Sequence, residues 1–437
     1  MLCREELIMS TIHIPFESAE QLGATLPLEI PDSCKLLRFE PKENAALADP
    51  GTALLDAVEH PVGGKPLSQI IEGGKKVLIM IENQFRAAPT DVLLPPLVKK
   101  LRAAGCEVSI IIGSGKVGPL NEDEIRVKLG GEVYDMHLPV TCNDVSKPEN
   151  YTFMGITTRG IPLWVHNWVA QADVKITLGT TQATLWGYGG SGMVIPGTAG
   201  DETIEMNHIM SLSPTCVPGN NEAAMQLDKY EALKLCGIDM GINVIVSNAS
   251  EIVHINAGEP EESHRASVEE YDKVYRFRTA EKADIVICGS TAPTDHLFFH
   301  TSWAVVNVDP ITKDNGTILF ASPCPGYGAW EGFALMDLLK AYMPASPEHN
   351  EMALKDFYSH KNELWAGCIW YKVYEVMVRK SCEYITYDEN LDFARNVGLA
   401  ASGPADIQKT FDRLLEKYGP NATVAYVPYG RYTVLDI

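Results

Sequence analysis

Apolar runs in this chain are short and are separated by helix-length polar stretches. Residues 75–81 read KKVLIMI, 108–112 VSIII, 174–178 VKITL, 242–247 INVIVS and 283–290 ADIVICGS. The continuous run in 75–81 suits a strand buried on both faces of a parallel sheet. The intervening stretches predict helices over 91–104, 121–130, 163–172, 221–237, 297–308, within 352–381 and over 405–418. Residues 132–138 (EVYDMHL) read as a strand, and 423–428 as the last one. Residues 11–60 read as short strands (IHIPF, KLLRFEP) and a helix near 50–58. Strand alternating with helix predicts an α/β fold. We expect two α/β domains with mostly parallel sheets and a cleft between them. Residues 1–275 form the first domain and 276–437 the second, with the last strand able to return to the first. The polar, acidic stretch 258–271 (GEPEESHRASVEEY) marks the end of the first domain.

Chemistry concentrates between residues 172 and 210. A strand over 174–178 leads into Gly187, Gly189, Gly190, Gly192 and Pro196-Gly197. A helix then opens at Asp201-Glu202 and carries His208 two turns in. Closely spaced glycines let backbone N–H groups approach a ligand, and an imidazole nearby can hold a metal. The same residues also suit a tight strand-to-helix loop with an ordinary helix histidine. Arg86 and the Gly113–Lys116 turn fall at the carboxyl ends of two other strands, where open α/β sheets bind ligands. GSGK lacks the spacing of a phosphate loop and reads as a strand-end turn. His137 and His166 have no ligand-spaced partner and read as packing or surface histidines.

The formal net charge of −21 disfavours nucleic acid and anionic membranes as partners and leaves a small-molecule substrate, held by a local Arg or Lys. Ten scattered cysteines without framework spacing suggest reduced thiols in a cytoplasmic protein. The N-terminal residues lack a charged-then-apolar secretory pattern, and Met9 is an alternative start. No apolar run approaches the roughly 20 residues a membrane helix needs.

Four segments together resemble one family, the nickel-dependent lactate racemases, which use a nickel-pincer nucleotide. They are DAVEHPVGGKPLSQIIEGGKKVLIMIENQFRAAP, FMGITTRGIPLWVHNWVAQADVKITLG, GYGGSGMVIPGTAGDETIEMNH and ADIVICGSTAPTDHLFFHTSW. The resemblance implies that Arg86 orients a substrate carboxylate and that His208 ligates nickel. It implies cofactor contacts at Gly189, Gly190, Ser191 and Gly192, and puts Trp365 near an active-site tryptophan.

The departures are specific. The family's cofactor-linking lysine falls at Gly192, and its two catalytic histidines fall near Gly115 and near Ala183–Thr184. The aspartate before the substrate arginine is Asn83, and a glutamine and a lysine of the second domain correspond to His300 and Trp303. The family's mechanism needs a base on each side of the substrate, within hydrogen-bond reach. His300 and Lys116 are the candidates to replace one of them, with Trp303 and Trp365 beside the substrate. Asp295 and His296 precede the same helix. The resemblance therefore implies a divergent isomerase, a racemase or epimerase of a 2-hydroxy acid that holds the nickel cofactor non-covalently. The alternatives are the same fold without nickel, doing lyase or hydratase chemistry, and a non-catalytic ligand-binding protein.

Overall fold

The computed structural model describes residues 9–18, 21–42, 44–292, 298–325 and 340–437. The chain divides into two compact units, Glu43–Val274 and a second made of Met1–Lys42 with Tyr275–Ile437.

The unit Glu43–Val274 is built on six strands. In spatial order they are Ile252–Gly258, Met240–Val246, Val174–Thr180, Lys76–Glu82, Glu107–Gly113 and Val140–Cys142. All neighbours run parallel except the first pair, which is antiparallel. Six of the seven residues of Lys76–Glu82 are buried, as a strand covered on both faces requires. Helix Thr90–Ala103 covers one face. Leu93, Leu94, Leu97, Val98 and Leu101 fall on one stripe at helical spacing and are fully buried. Asp91 in its first turn and Lys100 and Arg102 in its last suit the helix dipole.

Strand order fixes where a ligand can sit. The chain starts at Lys76–Glu82, winds outward through Glu107–Gly113 to Val140–Cys142, then crosses back to place Val174–Thr180 on the other side of Lys76–Glu82. The connections leaving these two central strands go opposite ways, which opens a crevice at their carboxyl ends.

The second unit repeats this logic. Its strands run Ala400–Ser402, Ser381–Ile385, Thr312–Ala321, Ala283–Gly289, Thr423–Tyr429 and Lys35–Arg38, all parallel. The switch lies between Ala283–Gly289 and Thr423–Tyr429. Among the described residues, no helix is long and apolar enough to cross a membrane.

Five sequence expectations differ from this fold. Residues 1–42 were expected in the first domain, yet Lys35–Arg38 pairs with Thr423–Tyr429, Lys35 opposite Thr423. A four-residue edge strand carries no mark of which sheet it completes. The last strand likewise stays in the C-terminal sheet. Residues 132–138 were expected as a strand but begin with a helical turn, Gly131–Tyr134. Val133 and Met136, three apart, pack on the core together, which is helical spacing. Residues 163–172 were expected as one helix. Instead Pro162–His166 is a strand paired antiparallel to Tyr151–Ile156, followed by the short helix Asn167–Gln171. Leu163 and Val165 are buried while Trp164 between them is exposed, a two-residue period. The expected helix 297–308 is two pieces, Phe298–Thr301 and Trp303–Val308.

Candidate functional site

The crevice of the first unit is stapled by one carboxylate. Glu82 ends its strand, is buried, and reaches Thr180 at the end of the neighbouring strand. Its Oε2 accepts from the Thr180 N–H at 2.8 Å and its Oε1 from the Thr180 hydroxyl at 2.8 Å. Oε1 also accepts from the Ala88 N–H at 2.6 Å. That last bond ties down the loop carrying Arg86. Within this loop Asn83 Oδ1 accepts from the Phe85 N–H at 3.1 Å, an Asx turn that needs only an acceptor oxygen. Asn83 therefore keeps the turn that an aspartate would make. Arg86 is half-buried, and its Nη1 donates to the Phe85 carbonyl at 3.1 Å.

The glycine segment follows Val174–Thr180. The Gly189 N–H is used within the chain, donating to the Gln182 carbonyl at 2.8 Å. Gly189 was expected to offer this N–H to a ligand, and the short turn closed by Gln182 takes it instead. The N–H groups of Gly190, Ser191 and Gly192 make no hydrogen bond among the described residues. Gly190 has φ +102, a backbone state that favours glycine, and Gly192 has φ −87. Successive N–H groups with alternating backbone hand form a concave anion receptor. The Ser191 hydroxyl accepts from Gln226 Nε2 at 2.7 Å.

His264 holds this loop from behind. Its Nε2 donates to the Gly189 carbonyl at 2.7 Å, and its Nδ1 lies 2.6 Å from the Tyr230 hydroxyl. Burial pushes its pKa down to about 4, so the ring is neutral. With Nε2–H spent on Gly189, Nδ1 turns its lone pair to the Tyr230 hydroxyl, which also lies 2.8 Å from Asn221 Oδ1. Burial raises the Tyr230 phenol to about 12, which keeps that proton in place. His264 was not singled out in the sequence, because it sits in an acidic stretch that reads as a surface connection.

His208 ends helix Asp201–His208 and is buried. Its Nδ1–H donates to the Ile204 carbonyl at 2.8 Å, and Trp186 packs edge-on at 5.3 Å. Burial pushes its pKa down to about 3, with Lys229 and Lys116 adding repulsion. The neutral ring with Nδ1 protonated leaves the Nε2 lone pair as donor, the form in which histidine ligates metals. Among the described residues no group of three or more His, Cys, Asp or Glu could hold a metal ion.

Lys116 was expected to act as a base. Its ammonium is held by Asp201 and Glu205, each at 2.7 Å, because it lies over the acidic first turns of the His208 helix. This makes it the counter-ion of two carboxylates and removes the reason to assign it proton transfer. Gly115 beside it donates its N–H to the Gly197 carbonyl at 3.0 Å and has φ +54. The GSGK stretch is thus the strand-end turn the sequence suggested. His166 caps the helix Asn167–Gln171 through Nδ1, a packing role.

Buried polar atoms mark the wall of the crevice. Gln84 Oε1, Ser114 Oγ, Thr181 Oγ1 and Gln182 Oε1 have no hydrogen-bond partner among the described residues. They follow the carboxyl ends of Lys76–Glu82, Glu107–Gly113 and Val174–Thr180, the three central strands. Buried polar atoms are almost always satisfied, so four at one sheet edge suit a ligand that satisfies them.

In the second unit His300 is buried, with Trp303 edge-on at 5.9 Å. Its carbonyl accepts from Arg431 Nε at 3.0 Å, and the Arg431 guanidinium lies 3.9 Å from the Trp303 ring centre. Trp303 was expected beside a substrate, and one of its faces carries Arg431 instead. Trp365 is half-buried on helix Leu364–Arg379. Asp295 and His296 lie outside the described residues.

Comparison with known proteins bears on these residues directly. The Lactate racemase N-terminal domain matches residues 23–217, which include Arg86, the glycine segment and His208. Over that stretch the chain is similar to the lactate racemase family. It is 26% identical over 287 residues to the lactate racemase of Thermoanaerobacterium thermosaccharolyticum, covering 63% of this chain and 66% of that protein. It is 24% identical over 291 residues to that of Lactiplantibacillus plantarum, covering 63% and 67%. The fold matches the lactate racemase apoprotein structure from T. thermosaccharolyticum with a TM-score of 0.85 at 20% identity, over 98% of this chain and all of that one. A Thermotoga maritima protein matches with a TM-score of 0.68 at 16% identity, over 90% of this chain and all of that one.

The chain has no amine side chain at position 192 and no imidazole at 115 or 183–184. Ala183–Thr184 is a buried two-residue strand paired with Gly187–Tyr188.

Proposed function

We propose that this chain is a racemase or epimerase of a 2-hydroxy acid, and that it holds a nickel-pincer nucleotide without a covalent bond. The observation that carries the reading is the His208 ring. Its Nδ1–H is fixed on Ile204, which leaves Nε2 as the metal donor, in the same unit as Arg86. The residues present fit the cofactor in a defined way. Gly190–Gly192 supply N–H groups for an anionic nucleotide, and the unsatisfied Gln84, Ser114, Thr181 and Gln182 atoms supply polar partners. Gly192 cannot form a covalent link. When bound, such a group supplies a two-electron acceptor for the hydrogen at C2 of the hydroxy acid.

The chain's own residues do the rest. Arg86 holds the substrate carboxylate through its planar fork. The His264–Gly189 bond keeps the loop in the shape that presents its N–H groups. His300 is the acid–base candidate of the second unit; Lys116 is occupied by its two carboxylates.

One observation favours a second reading. No imidazole stands at 115 or 183–184, so the family's two-base chemistry cannot run unchanged, and the fold without nickel could do lyase or hydratase work. Elemental analysis and native mass spectrometry of protein from its own cells separate the two. Nickel together with a nucleotide that leaves on denaturation supports the first reading, and absence of both supports the second. Loss of optical activity across a panel of 2-hydroxy acids then tests turnover.

A further inference from the structure

The glycine turn after strand Val174–Thr180 holds two glycines of different kinds. Gly190 is glycine for reasons inside the chain. Its φ is +102, and a Cβ there would stand 3.0 Å from His264 Cδ2 and 3.1 Å from Thr181 Oγ1. Gly192 has no such reason. Its φ of −87 suits any residue. A Cβ there would meet Ile195 O at 3.4 Å and Pro196 Cδ at 3.6 Å, which is ordinary contact. A glycine that neither its own backbone nor its neighbours require leaves the main chain bare toward a ligand.

The turn is braced from the protein side. Helix Ala224–Leu235 supplies Gln226, which is buried and donates from Nε2 to Ser191 Oγ at 2.7 Å. Helix Pro260–Tyr275 supplies His264, which is buried and donates from Nε2 to the Gly189 carbonyl at 2.7 Å. These bonds hold a hydroxyl and a carbonyl and use none of the N–H groups of Gly190, Ser191 and Gly192, which make no hydrogen bond among the described residues. The Thr181 hydroxyl, buried against Gly190, also has no partner among them. Three consecutive N–H groups and a hydroxyl, none bonded to a carboxylate, offer a cation nothing and an oxyanion several donors. A phosphate ester presents three terminal oxygens in a tetrahedron, where a carboxylate presents two in a plane. A concave turn of successive N–H groups suits the former.

We propose that the Gly190–Gly192 turn is a preformed receptor for a phosphomonoester, with Gly192 bare so that the phosphate reaches the backbone and Gln226 as the positioning residue that aims the Ser191 N–H. This rests on the reading of the turn as a nucleotide site and assigns it to the phosphate end of that nucleotide. N–H groups already held in place lose little freedom on binding, so the site can retain its ligand without a covalent bond. Free phosphate offers the same oxygens and is the competing occupant.

The test uses the full chain, made without added nickel and shown by native mass spectrometry to carry no nucleotide. It is titrated calorimetrically with AMP, inorganic phosphate and acetate, and glycine-selective amide NMR spectra are recorded alongside. AMP should bind at least about tenfold more tightly than acetate, the worth of the added charge-assisted contacts. The Gly190 and Gly192 amide signals should move as it binds. Gly192→Ala should weaken AMP by about tenfold or more and leave the unfolding midpoint unchanged, because the protein has room for the methyl and the phosphate does not. Gln226→Met should weaken AMP and reduce the movement of both glycine signals. AMP affinity that survives Gly192→Ala, or glycine signals that stay still on binding, overturns the proposal. So does acetate bound within about threefold of AMP, since charge alone would then be read. AMP binding and signal movement unchanged in Gln226→Met remove Gln226 from its role. Phosphate bound more tightly than AMP overturns the ester assignment in favour of a free-phosphate site. AMP bound by a protein that turns over no hydroxy acid keeps the receptor and defeats the isomerase reading. Turnover without AMP binding does the reverse, so the two fail separately.

Discussion

Glu82 and Thr180 close the ends of two adjacent parallel strands onto each other: one carboxylate accepts both the N–H and the hydroxyl of Thr180, each at 2.8 Å. Glu82 also takes the Ala88 N–H, so the crevice edge and the Arg86 loop share one buried anion. Removing it leaves three donors unsatisfied in a buried place. Glu82→Ala should lower stability by about 2–4 kcal/mol in urea unfolding, since bonds to a charged partner are worth more than neutral ones. Glu82→Gln keeps one acceptor oxygen and should lose less. An unfolding midpoint unchanged in Glu82→Ala would show that the loop is held by other means.

Arg86→Lys should fold normally and lose substrate affinity by about tenfold or more, because an ammonium cannot reproduce a planar bidentate fork. Affinity equal to that of the unaltered protein removes Arg86 from the site.

His208→Ala should abolish nickel retention, and His300→Ala should spare the metal and remove turnover. Metal analysis and racemisation assays on the same preparations decide both. An intact-mass spectrum should carry no nucleotide adduct, because Gly192 offers no amine. If His208→Ala keeps nickel, or His300→Ala keeps full activity, the corresponding role is wrong.

Acid should loosen the glycine loop through His264. Its folded pKa is about 4, against 6.5 for an unperturbed imidazole. Between these values the unfolded chain binds a proton that the folded chain refuses, so stability falls as pH drops from 6.5 toward 4 and is fully present above 6.5. His208, depressed to about 3, adds a contribution of the same sign. Unfolding measured from pH 7 to 5 should show this slope, and His264→Gln should flatten it. A parallel slope in His264→Gln would mean that carboxylates carry the whole effect.

Gly190→Ala tests the loop backbone itself. Gly190 has φ +102, and an added Cβ would stand 3.0 Å from His264 Cδ2. The substitution should cost about 1–3 kcal/mol and weaken anion binding. A neutral outcome would mean that the loop adopts other shapes at no cost.

The sequence by itself determined what is local. The unbroken apolar run VLIMI marks the central parallel strand Lys76–Glu82, since a strand covered on both faces has no polar side to alternate. The closely spaced glycines, the acidic opening of the next helix and His208 two turns later are neighbours in sequence, so their arrangement follows from turn and helix geometry alone. Tertiary structure decided everything that depends on what packs against a residue. Lys35–Arg38 is four residues of edge strand, and only its pairing with Thr423–Tyr429 assigns it to a sheet. Lys229 in AMQLDKYEALKL reads as a solvated helix lysine, and it is buried because that helix packs on the glycine segment. His264 reads as part of a charged surface, yet it braces Gly189 from 75 residues away. Glu82 reads as the polar end of a strand, and its partner Thr180 lies 98 residues further along. A charge or an imidazole looks the same in sequence whether water or protein surrounds it. Burial and partner, which set its chemistry, are properties of the fold.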